Sequence, residues 1–95
     1  MPTVIYCLDK PDSLDLRMAN REAHLAHMRD FNDRVLVAGP MLSDDGSTMI
    51  GSMLVMNMDD RAEVDAMLAK DPYVTAGLFG QVDIRPFKAL LPFKD

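Results

Sequence analysis

The sequence predicts a single α+β domain with the element order β-α-β-β-α-β. Two observations carry this prediction: four short segments are rich in apolar and β-branched residues, and two longer segments repeat their apolar residues at helical spacing. The length of 95 residues is typical of one domain, so we assign a single domain to residues 1–95.

The first half of the chain contains a strand, a long helix and a second strand. Residues 3–8 are mostly β-branched or apolar and precede a turn, which predicts the first strand. Leucine and methionine then recur at helical spacing, so we predict a helix over residues 13–33 with Asp12 or Ser13 as its N-cap. The second strand covers residues 34–38, and we expect Gly39-Pro40 to end it because proline cannot donate to a sheet ladder.

The second half contains two further strands and a shorter helix. A turn at Asp44-Asp45-Gly46 leads to a third strand over residues 50–58, in which Gly51 marks a candidate bulge. Asp59-Asp60 caps a second helix over residues 61–70, which Asp71-Pro72 ends. Residues 81–87 alternate polar and apolar side chains, as the fourth strand should.

This element order is that of the ferredoxin-like fold. It predicts a four-stranded antiparallel sheet with both helices on one face. The opposite face of such a sheet has no cover within the chain. We therefore expect a homodimer with two-fold symmetry, in which a second copy packs against that face.

Composition makes several classes of function improbable. The net charge of −5 and the lack of a basic stripe argue against nucleic acid as a partner. No apolar run approaches the roughly 20 residues that a membrane helix needs, and no secretory signal is visible, so we expect a cytoplasmic protein. Cys7 is the only cysteine; it forms no disulfide within the chain, and we expect a buried structural thiol.

His24 is the strongest candidate for a catalytic group. It is one of two histidines in the chain, and an imidazole titrates close to neutral pH. A carboxylate such as Asp71 would fix its tautomer and stabilise its protonated form. Each residue also has a structural interpretation, since a lone histidine is often part of a core or surface network and Asp-Pro often ends a helix. His24 and His27 have a spacing that suits a metal, but no third histidine or second cysteine exists to complete a site. Aspartate or glutamate could complete one, but we expect no metal or other cofactor.

Two arginines extend this cluster on the predicted first helix. Arg17 and Arg21 precede His24 at helical spacing, so all three share one side of the helix. Arginine binds carboxylates and phenolates through its planar fork of donors, which suits a small anionic substrate. The alternative is a solvated helix face on which the arginines pair with nearby acidic residues, namely Asp15, Glu22 or Asp30. Ser43 is a candidate hydroxyl donor to a substrate oxygen, and capping of its own loop is an equally open interpretation.

Several short motifs stand in a fixed order along nearly the whole chain. They are Arg17, Arg21-Glu22-Ala23-His24-Leu25, Ala38-Gly39-Pro40, Gly46 before Gly51-Ser52, Asp71-Pro72-Tyr73 with Gly77-Leu78, and Pro86-Phe87-Lys88. In this order and spacing they resemble the YciI-like (YCII-related) family of small bacterial proteins. The resemblance implies a dimeric ferredoxin-like protein with an active site near the dimer interface. It also implies a His-Asp pair at His24 and Asp71, and a substrate cavity lined by Arg17, Arg21, Gly39, Pro40, Ser43 and Tyr73.

The family has been linked to dehydrochlorination of chlorinated, hydroxylated aromatics. The first functional hypothesis is therefore a cofactor-free lyase in which His24 acts as general base with Asp71 as its partner. The second is a non-catalytic dimeric module that binds a small anionic metabolite in the same cavity. A monooxygenase of the related dimeric type is a third and weaker interpretation, since those sites usually depend on other polar residues or on a haem ligand.

Overall fold

The computed structural model describes residues 1–93 and contains one four-stranded antiparallel sheet with the strand order β2-β3-β1-β4. The first half of the chain forms β1 (Thr3–Asp9), α1 (Leu14–Arg29), a 3₁₀ turn (Asn32–Arg34) and β2 (Val35–Leu42). The second half forms β3 (Met49–Met56), α2 (Arg61–Ala69), α3 (Pro72–Thr75) and β4 (Phe79–Pro86). This arrangement confirms the predicted ferredoxin-like α+β fold.

The core lies between the sheet and the helices and follows from the alternation of the two central strands. Ile5 pairs with Leu54 across β1 and β3, and both side chains are buried against apolar residues of α2 such as Val64. Cys7 is fully buried on the same face, and burial raises the pKa of its thiol to about 12. The thiol is therefore a neutral, structural group, in agreement with the expectation from sequence.

The second strand does not end at Gly39-Pro40, and that prediction is wrong. β2 continues to Leu42, with Pro40 opposite Ser52 of β3. An edge strand tolerates proline because one of its sides has no ladder partner, and β2 is an edge strand. The bulge expected near Gly51 is present as a register shift: Met41 pairs with Gly51, but Leu42 pairs with Met49.

The first helix is shorter than predicted. It stops at Arg29, and the chain then tightens into the 3₁₀ turn while Phe31 packs against the core. Ser13 occupies the N-cap position, but it makes no side-chain capping hydrogen bond, and Asp12 adopts a positive φ instead of capping. Asp60 does cap α2, since its carboxylate accepts from the backbone N–H of Ala62 at 2.9 Å.

The sheet face opposite the helices carries apolar side chains on three strands. Tyr6 of β1 faces Met53 of β3, which in turn faces Gly39 of β2. Tyr6 and Met53 are each 38% exposed and Val37 is 53% exposed. Among residues 1–93, no helix has both the length and the hydropathy required to cross a membrane.

Candidate active site

A cavity of about 280 Å³ lies between α1 and the edge strand β2 on the helix-covered side of the sheet. Helix α1 contributes Arg17, Arg21 and His24 to its wall, and α3 contributes Tyr73. The wall formed by β2 includes Ala38, Gly39 and Pro40. The structure thus brings six of the residues singled out from the sequence to one cavity, namely Arg17, Arg21, His24, Gly39, Pro40 and Tyr73.

The imidazole of His24 meets the carboxylate of Asp71 at the edge of this cavity. Its Nδ1 lies 2.9 Å from Oδ1 and 3.1 Å from Oδ2 of Asp71. The side chain of Asp71 is only 3% exposed, whereas that of His24 is 13% exposed. The carboxylate is therefore held in the protein interior, and the imidazole lies between it and the cavity.

Asp71 owes its orientation to the start of α3. Its side chain caps this helix by accepting from the backbone N–H of Tyr73 at 2.9 Å, and Pro72 occupies the first helical position. Asp71 therefore both caps α3 and contacts the imidazole of His24. Since the cap fixes the side chain, Asp71 presents its oxygens to His24 in a rigid geometry.

This contact determines which nitrogen of the neutral ring carries the proton. An ionised carboxylate only accepts hydrogen bonds, so Nδ1 of His24 must donate, and Nε2 carries the lone pair. No hydrogen bond joins Nε2 to any residue between 1 and 93. An unprotonated, unpartnered nitrogen beside a cavity can accept a proton from a bound molecule.

Tyr73 stacks on the imidazole and completes the wall behind it. The two ring centroids are 4.0 Å apart with an interplanar angle of 14°. Burial raises the pKa of the Tyr73 phenol above its ordinary value, although the nearby Arg17 and Arg21 guanidiniums oppose this shift. The phenol is consequently neutral at physiological pH and keeps its hydroxyl proton.

Arg17 is buried and paired with Asp9 of β1, which lies outside the helical pattern that predicted the cluster. Its Nε and Nη2 donate to the two carboxylate oxygens of Asp9 at 2.8 and 3.0 Å, and Nη2 also donates to Ser52 Oγ at 2.8 Å. The guanidinium carbon lies 4.7 Å from the centroid of the Tyr73 ring. Burial disfavours its charge, but the hydrogen bonds and charge of Asp9 outweigh burial and raise the pKa of Arg17. The solvated helix face with Asp15, Glu22 or Asp30 as partner is therefore the wrong interpretation for Arg17.

Arg21 differs from Arg17 in being exposed at the cavity wall. Within residues 1–93, no carboxylate lies within ion-pair distance of its guanidinium. Its donors are thus available to a bound anion.

Ser43 does not line this cavity in the single chain. It lies in the turn between β2 and β3, where its hydroxyl donates to Asp45 Oδ1 at 2.7 Å. Hydrogen bonds from Ser43 and Ser47 lower the pKa of Asp45 to about 2. These contacts are those of a side chain that stabilises its own loop.

His27 faces away from the cavity. Its Nε2 lies 2.9 Å from the carbonyl oxygen of Met67 on α2, and its ring packs edge-on against Phe31. Within residues 1–93, the structure contains no group of three or more histidine, cysteine, aspartate or glutamate side chains that could hold a metal ion.

A family model described as the YCII-related domain matches residues 1–88 of this chain. Protein YciI of Escherichia coli is 38% identical over 92 residues, which cover 90% of this chain and 94% of YciI. An uncharacterised protein of Haemophilus influenzae is 34% identical over the same length, with the same coverage of both chains.

Solved structures extend these similarities to three dimensions. A 5-chloro-2-hydroxyhydroquinone dehydrochlorinase (TftG) from Burkholderia phenoliruptrix, in complex with 2,5-dihydroxybenzoquinone, superposes with a TM-score of 0.86 at 35% identity. The match covers 93% of this chain and 94% of the dehydrochlorinase. An antibiotic biosynthesis monooxygenase matches with a TM-score of 0.55 at 15% identity over 93% of this chain and 99% of its own, which shows a shared fold only.

Proposed function

This chain belongs to the YCII-related family, and from that premise we propose that it is a cofactor-independent lyase acting on a small hydroxylated, chlorinated aromatic. The observation that carries the proposal is the contact between His24 and Asp71. It leaves Nε2 of the imidazole beside a cavity with no partner among the described residues. The structural likeness to a dehydrochlorinase supports the same class of reaction.

The proposed reaction begins with proton transfer to His24. Nε2 removes the proton of one ring hydroxyl, and the electron pair of that O–H bond forms a C=O bond. The imidazolium then delivers the proton to the ring carbon that bears chlorine, which leaves Nε2 free to accept the next proton. Loss of a second hydroxyl proton forms a second C=O bond on another ring carbon. The adjacent ring double bond then moves to the carbon that bears chlorine, and the C–Cl bond breaks. Chloride leaves with the bonding pair, so a chlorinated trihydroxybenzene gives a hydroxyquinone and hydrogen chloride without an external oxidant.

The surrounding residues have distinct roles in this proposal. Asp71 stabilises the imidazolium that forms after the first proton transfer, and the stacked ring of Tyr73 keeps the imidazole in place. Arg21 stabilises the negative charge that develops on the ring oxygen. Arg17, whose Nε and Nη2 are occupied by Asp9 and Ser52, acts mainly by holding Tyr73.

A non-catalytic module that binds an anionic metabolite is the second candidate. One observation favours it: among residues 1–93, three arginines line the cavity and no carboxylate does, although the chain as a whole carries a net charge of −5. Such a module would need the arginines but would not need the pairing of His24 with Asp71.

Chloride release separates the two candidates. We expect the purified protein to release one chloride per molecule of 5-chloro-2-hydroxyhydroquinone consumed, at a rate above the spontaneous reaction. Asp71→Asn should lower this rate about 10²-fold or more, because a neutral amide neither fixes the tautomer nor stabilises the imidazolium. Tight binding of the compound by the wild type without any excess chloride would favour the binding module.

We also propose that two copies associate through the open face of the sheet, in the cytoplasm. The exposed apolar residues Tyr6, Val37 and Met53 on that face support the association. Sedimentation should give the mass of a dimer, and Met53→Asp should shift it to that of a monomer. An unchanged mass in this variant would place the interface elsewhere.

A further inference from the structure

The cavity has a second polar end that the proposed reaction does not use. We infer that Arg29 and Asn32 at this end bind an anionic substituent of the aromatic substrate, so that the substrate class is a hydroxylated aryl acid. This inference rests on the proposed function and adds to it the chemistry of the remote part of the substrate.

The two ends of the cavity are separated along α1. His24 and Arg29 both line it, and the five residues of helix between them correspond to about 7.5 Å. The strand pairing gives the same order of residues along the cavity. Pro40 pairs with Ser52, which contacts Arg17 at the His24 end, whereas Val35 directly follows the turn that contains Asn32. The cavity therefore extends along α1, with Arg17 and His24 grouped around Tyr73 and Arg29 at the end beyond them.

The wall between these ends is apolar. Leu25 and Met28 of α1 face Ala38 of β2 and Leu54 of β3 across the cavity. The volume of about 280 Å³ is close to twice the roughly 150 Å³ of a cavity that holds benzene. A single hydroxylated ring beside His24 would leave the far half empty, whereas a ring with a short aliphatic chain would fill it.

The polar side chains at the far end of the cavity indicate which group the aliphatic chain of the substrate should carry at its end. Arg29 is exposed, and none of the carboxylates within residues 1–93 forms an ion pair with it, including its sequence neighbours Asp30 and Asp33. Asn32 adds an amide that can donate to the same group. A guanidinium and an amide at the end of an apolar channel match a carboxylate.

Binding of two probes with the same ring tests this inference. Calorimetry would compare hydroquinone with 3-(2,5-dihydroxyphenyl)propanoate, which adds a two-carbon chain and a carboxylate. We expect the propanoate to bind about tenfold more tightly to the wild type. Arg29→Gln should remove that advantage and leave the affinity for hydroquinone unchanged. Arg61→Gln is the matched control, because it removes the same charge from α2, where Arg61 pairs with Asp65 outside the cavity.

The outcomes separate this inference from the proposed function. Equal affinities for the two probes, or an advantage that persists in Arg29→Gln, would overturn the second subsite and leave a lyase acting on rings without an acidic side chain. If Arg61→Gln removed the affinity advantage of the propanoate to the same extent, the advantage would depend only on net charge. That result would also overturn the inference. If neither probe binds, the proposed function fails together with the inference.

Discussion

Replacing His24 with asparagine should greatly slow turnover and preserve binding. The amide nitrogen of asparagine can take the place of Nδ1 and donate to Asp71, so the buried carboxylate keeps a partner. The variant lacks the basic Nε2, and we expect kcat for chloride release to fall about 10²- to 10⁴-fold. The Kd of 2,5-dihydroxybenzoquinone should change less than about threefold, because Arg21 and the apolar wall remain.

His27→Asn is the matched control for this experiment. His27 contacts the carbonyl oxygen of Met67 and lies outside the cavity, so its loss affects packing and not chemistry. We expect its kcat to remain within about threefold of the wild type. Equal losses in the two variants would mean that histidine substitution acts through folding, and full activity in His24→Asn would remove the imidazole from the reaction.

Replacing Arg17 with methionine should produce the largest loss of stability. The side chain of Arg17 is 2% exposed and that of Asp9 is 6% exposed, so the substitution leaves a buried carboxylate without its cation. Removal of one member of a buried ion pair costs about 3–5 kcal/mol. Urea denaturation should show a decrease of this order in the free energy of unfolding, and Asp9→Asn in the same protein should recover part of it.

An exposed ion pair provides the comparison. Arg61 and Asp65 lie on one face of α2, with side chains 61% and 58% exposed. Arg61→Met should therefore lower the free energy of unfolding by no more than about 0.5 kcal/mol. A loss in Arg17→Met as small as this one would show that the Asp9 pair contributes little to the fold.

The sequence was sufficient for the element order because strand alternation and helical spacing are local patterns. It misplaced the end of β2, since the effect of Pro40 depends on whether the strand lies at an edge, and only the assembled sheet decides this. It also overestimated the length of α1, because polar residues such as Asn32 and Asp33 are compatible with either a helix or a turn.

For the site, spacing along α1 correctly placed Arg17, Arg21 and His24 on one cavity wall. The partner of Arg17 does not follow from this spacing, because Asp9 lies on β1 and not on the helix. The signal was present in β1, where the alternation of Ile5 and Cys7 continues to Asp9 on the helix-facing side. Arg29 carried no comparable signal, since its position on the wall depends on how β2 lies against α1.

A crystal structure of this protein with 2,5-dihydroxybenzoquinone would show where the ligand binds relative to the imidazole. If His24 is the general base, its Nε2, oriented by Asp71, faces the reacting oxygen of the ring inside the cavity. We predict a ligand oxygen within about 3.2 Å of Nε2 and a second oxygen within reach of Arg21. A ligand bound outside the cavity between α1 and β2, or an Nε2 that bonds to the protein and not to the ligand, would contradict this role of His24.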